Sequence, residues 1–321
     1  MRSEMAKLVP WSALAPPWRH RMLATIMLSS ALVAATIAFG PSDVSGVYPA
    51  KFWLDKAHWR AMADVVLAGD SRTYRALSPA HMSHILGNIR ILNFGFASVG
   101  YSPQYLAAIQ EVLDPVSPRK VVVLGVTPYS LTPKASRRND FTENRLRPPR
   151  STLDDILIPV VFRLEPMSLR KIPLPFVGAS HYYEEFHPDG WVASRRVPER
   201  PGEAVGIYNG IFKGNTVDPR IQEGLVDQVG RWSRSGIRVY AFRPPTCQEM
   251  IDVENKRSGF DERALAAQFE AAGGTWLNAD QTAYHTYDGS HLRRDAALTL
   301  SEDVARLIRR SEVISGQIQT Q

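Results

Sequence analysis

The chain has a single cysteine in 321 residues, Cys247. It can form no internal disulfide, and it stands at no metal-site spacing. No internal repeat runs along the chain, so a solenoid or propeller is excluded. Long uncharged apolar runs are also scarce. Only Met22 to Phe39 has one, 18 positions without a charge, and the other apolar segments are strand-like. Acidic residues are outnumbered, with 32 Asp and Glu against 38 Lys and Arg, for a net charge of +6. A basic balance suits nucleic acid, a membrane surface or an acidic polysaccharide. No basic motif interleaved with aromatics marks a nucleic-acid module, so nucleic acid is not an expected partner and envelope partners are. With 44% hydrophobic and 22% charged residues, the chain has room for one large α/β domain plus additions.

What is present is chemically specific. Val65-Val66-Leu67-Ala68 is apolar on both alternating faces, as in a buried parallel strand, and it stops at Gly69-Asp70-Ser71-Arg72. Ser71 then lies on the turn at the strand's carboxyl end, where open α/β sheets place their ligands. Asp70 and Ser71 also suit the N-cap of a following helix. Near the other end, Asp288-Gly289-Ser290-His291 sets a carboxylate three residues before a histidine in a polar loop. That loop can fold so that Asp288 holds Nδ1 and leaves Nε2 open to Ser71. A nucleophile, a base and an orienting carboxylate are the three roles of an acyl-transfer triad. His285 competes for the base role but has no carboxylate three residues before it.

These two motifs, in this order, resemble the SGNH (GDSL-like) hydrolase superfamily, which carries Gly-Asp-Ser after its first strand and Asp-x-x-His before its last helix. Asn93-Phe94-Gly95-Phe96-Ala97-Ser98-Val99-Gly100 is similar to the family's second block. The resemblance implies that the N–H groups of Ser71 and Gly95 form the oxyanion hole. The third block departs from the pattern: Val126-Thr127-Pro128 stands where the family has Gly-x-Asn-Asp, so the side-chain donor is missing. That departure resembles the membrane-anchored branch found in bacterial envelope acylation, including alginate O-acetylation factors and the D-alanyl-transfer protein of teichoic acid. The implied function is O-acetyl transfer or O-acetyl-ester hydrolysis on a cell-envelope polysaccharide. The implied partners are that polysaccharide or an acyl donor, a polytopic membrane O-acyltransferase and the inner membrane. No cofactor and no metal are expected.

Arg2, Lys7, Arg19 and Arg21 precede the uncharged run, and Asp43 is the first charge after it. The positive-inside rule then puts residues 1 to 21 in the cytoplasm, a signal anchor at 22 to 39 and the rest outside. A cleaved signal peptide is the rival, given the small residues around Thr36-Ile37-Ala38. Residues 40 to 60 read as a linker, with Pro41, Gly46 and Pro49 as breakers.

From 61 to 312 the expectation is a doubly wound, flavodoxin-like sheet of five parallel strands. The strands are Val65 to Ala68, Ile89 to Leu92, Val121 to Gly125, Ile237 to Phe242 and Thr275 to Leu277. Helices are expected at Ser78 to Leu86, Pro103 to Leu113, Pro219 to Ser235, Asp261 to Ala272 and Asp295 to Arg310. A Pro- and Arg-rich stretch from about 134 to 206 shows no sustained alternation, apart from one short element at Asp154 to Leu164. It reads as an insertion over or beside the active-site face, partly packed through His181, Tyr182, Tyr183, Phe186 and Trp191. Residues 313 to 321 read as a tail.

Arg72, Thr127, Tyr129 and Arg243 are candidate substrate contacts, because each leaves a strand on the carboxyl-end face. Arg75 shares a helical face with Arg72 and reads either as an anion contact or as a solvated surface arginine. Asn209 and Asn215 are candidates for the absent oxyanion donor or, more simply, turn residues. His181 and His187 lie near Glu184 and Glu185, but at no zinc spacing. Against the enzyme stands a non-catalytic scaffold that binds glycan or a membrane acyltransferase. The topology has a direct test. Alkaline phosphatase fused after Arg60 is expected to be active, and an inactive fusion with an active cytoplasmic reporter would overturn the outward orientation.

Overall fold

The computed structural model describes residues 17–39, 49–137, 139–148 and 181–314, with the side chains at 17–19, 32–39 and 181 left out. The chain divides into two units, residues 1–42 with 150–177, and residues 43–149 with 178–321. The described part of the first unit is a helix, Pro17–Phe39. Among the described residues no helix is long and apolar enough to cross a membrane. The expected span at 22 to 39 is therefore not returned as such. Side chains within it are described only to residue 31, so the run lies partly outside the described residues. The element expected at Asp154 to Leu164 lies outside them altogether.

The second unit is α/β. Its main sheet has five parallel strands: β1 (Val65–Gly69), β2 (Ile91–Asn93), β3 (Val121–Gly125), β6 (Arg238–Phe242) and β7 (Thr275–Trp276). Their order is β2-β1-β3-β6-β7. This is the order of a doubly wound sheet whose direction of winding reverses after β2, with the switch point between β1 and β3. β1 pairs with β3 over its whole length, Val65 opposite Val121 through Gly69 opposite Gly125.

Two cores follow from the strand period of two. Val66, Ala68, Val122, Leu124, Val239 and Ala241 face one core. There they meet the helices Pro103–Val112, Pro219–Arg234 and Glu262–Ala271, through residues such as Ile109, Trp232 and Phe269. Val65, Leu67, Val121, Val123, Tyr240 and Phe242 face the other. That side is closed by Pro79–Leu86 and by Arg294–Ile314, whose Ala297, Leu300, Val304 and Ile308 recur at helical spacing. The terminal helix thus extends beyond the expected Arg310 into the stretch read as a tail.

Two expectations need correction. The stretch 40 to 60 is not all linker, because Pro49–Ala57 is a helix with Phe52, Leu54, Lys56 and Ala57 buried. Pro49 opens this helix rather than breaking it, since a proline at the first turn loses no helical hydrogen bond. Lys56 is fully buried, and its Nζ donates to the carbonyl of Gly190 at 2.8 Å. The rings of Trp53, Phe96, Phe52 and Tyr74 surround it at 5.0, 5.3, 5.5 and 5.6 Å. Burial holds its pKa well below the usual lysine value, against the raising effect of Asp189.

The second correction concerns the insertion, which is more regular than its sequence suggested. It holds the short helices Pro133–Arg137 and Asp140–Arg145 and the helix Glu203–Ile211. It also holds an antiparallel hairpin, β4 (His181–Phe186) with β5 (Val192–Val197). The hairpin's turn docks on the carboxyl end of β2, where the Asn93 N–H donates to the Asp189 carbonyl at 2.8 Å. Gly190 has φ of +91°, and a Cβ there would run into the backbone of Asn93. Gly190→Ala should therefore destabilise the protein by about 2–4 kcal/mol, from strain plus overpacking. Gly224→Ala, in open space inside a helix, should stabilise it by about 0.5–1 kcal/mol. Equal melting temperatures for the two variants would contradict this packing.

Candidate active site

The parallel sheet brings the two sequence motifs to one edge. Ser71 opens the helix Ser71–Ala76 directly after β1. Asp70 caps that helix, accepting the Arg72 N–H at 3.0 Å, and is itself buried. Burial raises its pKa above the usual carboxylate value, although the Arg72 charge and the Thr127 bond oppose this. Ser71 Oγ lies 2.9 Å from Nε2 of His291, and Nδ1 of His291 lies 2.7 Å from Oδ2 of Asp288. The backbone N–H groups of Ser290 and His291 both donate to Asp288 Oδ1 at 2.8 Å. Asp288 is thus fixed by its own loop before it meets the imidazole.

The charges assign the protons. Burial alone would raise Asp288, but the His291 hydrogen bond and charge and the two backbone donors outweigh it and hold its pKa at about 2. Burial lowers the His291 pKa from its ordinary value, the nearby Arg75 and Arg72 charges push the same way, and the Asp288 hydrogen bond and charge offset them only in part. At neutral pH the carboxylate is ionised and can only accept, so Nδ1 carries the proton. Nε2 is then open to accept from the Ser71 hydroxyl. This arrangement can activate a serine for attack on a carbonyl carbon.

The expected substrate contacts are mostly employed elsewhere. Arg72 is 1% exposed, with Nε on Ser290 Oγ at 2.9 Å and Nη2 on Glu254 at 2.7 Å. Arg243, 3% exposed, shares the same buried Glu254 at 2.8 Å and reaches Glu262 at 3.1 Å. Neither guanidinium is open to a ligand. A buried carboxylate between two arginines is a structural arrangement that must stay paired. Thr127 is fully buried, and its hydroxyl donates to Asp70 Oδ2 at 2.6 Å. Tyr129 is nearly buried and packs edge-on against Tyr208. Arg75, read as an anion contact or a solvated arginine, is buried on Tyr287 and Glu184.

The expected oxyanion donors also divide. The Gly95 N–H donates to Asn93 Oδ1 at 3.0 Å, which takes it out of the donors open to an oxyanion. Gly95 is there for room, because a Cβ would press on Tyr74 and on the Gly69 carbonyl. The Ser71 N–H has no intrachain acceptor among the described residues. Asn215 accepts the Lys134 N–H of the helix Pro133–Arg137 at 3.2 Å, a long-range contact rather than a turn role, and Asn209 lies within the helix Glu203–Ile211. His285 is exposed on Glu199 at 2.8 Å. Among the described residues no group of His, Cys, Asp and Glu is placed to hold a metal ion.

Sequence reasoning missed the residues that brace the triad. Tyr287 stacks on His291 and is held by the β4–β5 hairpin. The signal was present: Pro188-Asp189-Gly190 is a turn sequence between two segments rich in aromatic and β-branched residues.

Fold and site together define an α/β protein with a Ser-His-Asp array at the carboxyl edge of a parallel sheet. No family model, curated protein or solved structure matches the chain. The array makes a definite pH prediction. The base must be neutral to accept a proton, and its pKa is lowered, so ester turnover (kcat/KM) should fall as pH drops through a midpoint below 6.5. An acid limb centred at or above 6.5 would contradict the burial of His291.

Proposed function

We propose that the protein is a membrane-anchored serine acyl-transfer enzyme of the SGNH type. It acts outside the cytoplasm as an O-acetyltransferase or O-acetylesterase on a cell-envelope polysaccharide. The observation that carries this reading is the unbroken chain Ser71 Oγ, His291 Nε2, His291 Nδ1, Asp288 at 2.9 and 2.7 Å. His291 takes the Ser71 proton as Oγ attacks the ester carbonyl, and Asp288 stabilises the imidazolium. His291 then returns the proton to the leaving alcohol. Water or a sugar hydroxyl, deprotonated by His291, resolves the acyl-serine and gives hydrolysis or transfer. The strand order is compatible with a flavodoxin-like arrangement, which supports the same assignment. The uncharged run 22 to 39, preceded by basic residues, supports the anchor and the outward orientation.

A second reading has one observation in its favour. Thr127 is turned into the core by Asp70, and the Gly95 N–H is committed to Asn93. Losing one oxyanion donor typically costs about 3–4 kcal/mol of transition-state stabilisation. A catalytically weak scaffold that binds glycan or a membrane acyltransferase would tolerate that loss.

The two readings separate on the full-length chain. A fluorophosphonate should add its mass to the wild type and not to Ser71→Ala. Turnover of p-nitrophenyl acetate should be slow, and His291→Ala and Ser71→Ala should each lower it by at least about a hundredfold. Combining them should cost little more, as for residues acting as one unit. Wild-type turnover by His291→Ala would leave the scaffold as the better description.

A further inference from the structure

Tyr287 has no place in the proton path, yet both ends of its side chain are engaged. Its ring lies 5.9 Å from the imidazole of His291 at an interplanar angle of 19°. The residue is fully buried. Its hydroxyl meets Arg75 Nη1 at 3.1 Å, Tyr182 OH at 2.8 Å and Ser194 Oγ at 3.0 Å. The guanidinium can only donate. A phenol has one proton and two acceptor sites, so one of the other two partners donates, one accepts, and the hydroxyl is saturated.

The three partners come from three places in the chain. Arg75 belongs to the helix that Ser71 opens, Tyr182 to β4 and Ser194 to β5. Arg75 is itself fixed, with Nε on Tyr74 OH at 3.2 Å and Nη2 on Glu184 at 2.8 Å. The backbone closes the loop from the other side, where the Tyr287 N–H donates to the His291 carbonyl at 3.0 Å. The nucleophile's helix and the base's loop are therefore tied together three times. One tie is the Ser71–His291 hydrogen bond, and a second is the Arg72 Nε donation to Ser290 Oγ at 2.9 Å. The third runs from Arg75 through the Tyr287 hydroxyl to the ring on which His291 stacks.

We propose that Tyr287, held by Arg75 and by the β4–β5 hairpin, is a positioning residue that sets the plane of the His291 imidazole against Ser71. The proposal rests on the acyl-transfer reading of the triad. The hairpin thereby acts on the general base without touching substrate. Small displacements of a base from its productive geometry cost rate rather than binding. The ring covers one face of the imidazole only as long as the hydroxyl contacts hold it there. Asp288, Arg72, Arg75 and Asp70, the charged groups that act on the imidazole, remain in every variant used below.

The test uses the full-length chain and p-nitrophenyl acetate, with kcat and KM separated and thermal melting measured in parallel. Tyr287→Phe keeps the ring and removes the hydroxyl. Tyr182→Phe combined with Ser194→Ala leaves Tyr287 in place and removes its hairpin partners. Both should lower kcat by about tenfold to a hundredfold with KM little changed. Both should move the acid limb of kcat/KM up towards 6.5, because a ring released from its hydroxyl contacts packs less closely on His291 and lessens its burial. Wild-type kcat and an unmoved acid limb in the two variants would overturn the proposal. So would a fall in kcat accounted for by the fraction unfolded at the assay temperature. Ser71→Ala is assayed alongside: if it keeps turnover, the acyl-transfer reading itself fails, and if it is inactive, the result for Tyr287 stands on its own.

Discussion

Strands that all run the same way cannot be joined by tight turns, so each must return through a crossover and leave the sheet at the same edge. That constraint organises this protein. Ser71 follows β1, the Phe94 to Gly100 loop follows β2, Thr127 follows β3, Arg243 follows β6, and Asp288 and His291 come after β7. Residues 220 positions apart meet at hydrogen-bonding distance because of it. The full-length pairing of β1 with β3 sets the height at which Ser71 stands, and Thr127 reaches across from β3 to hold Asp70.

Around the triad, charge is used to hold positions. Glu254 lies between Arg72 and Arg243, and Arg72 reaches Ser290 beside the base. Arg75 does the corresponding work on the other side through Tyr287. Removing either carboxylate or arginine would leave a buried charge without its partner, which is why these groups cannot double as ligands for a substrate. Burial, with the Arg75 and Arg72 charges, lowers the His291 pKa and so favours its neutral form.

The insertion is where extended chain acquires a role through packing. β4 and β5 bury Phe186 and Val192 against Phe52 and Tyr74. Their turn is fastened by the Lys56 Nζ, which four aromatic rings and one carbonyl surround in place of the water a lysine normally keeps. The helix Pro49–Ala57 and the hairpin are therefore one buttress behind the helix that Ser71 opens, although 134 positions separate Lys56 from Gly190.

Much of this was legible in the sequence. Apolar runs such as Val121 to Gly125 announce buried strands wherever they sit, because no other context satisfies both of their faces. Gly-Asp-Ser and Asp-x-x-His carry the triad's roles locally, since a cap and a three-residue loop are short-range geometry. The fates of Arg72, Arg243, Thr127 and Gly95 were not legible. A side chain leaving the active edge of a sheet can turn to substrate or to the core, and the choice belongs to its partner, whether Glu254, Asp70 or Asn93, which lies far away in the chain or was taken for something else. Tyr287 was hidden for the same reason. Its three partners have no sequence proximity to it, and only the folded hairpin, closing on the helix that begins at Ser71, decides that a tyrosine next to Asp288 is held against His291.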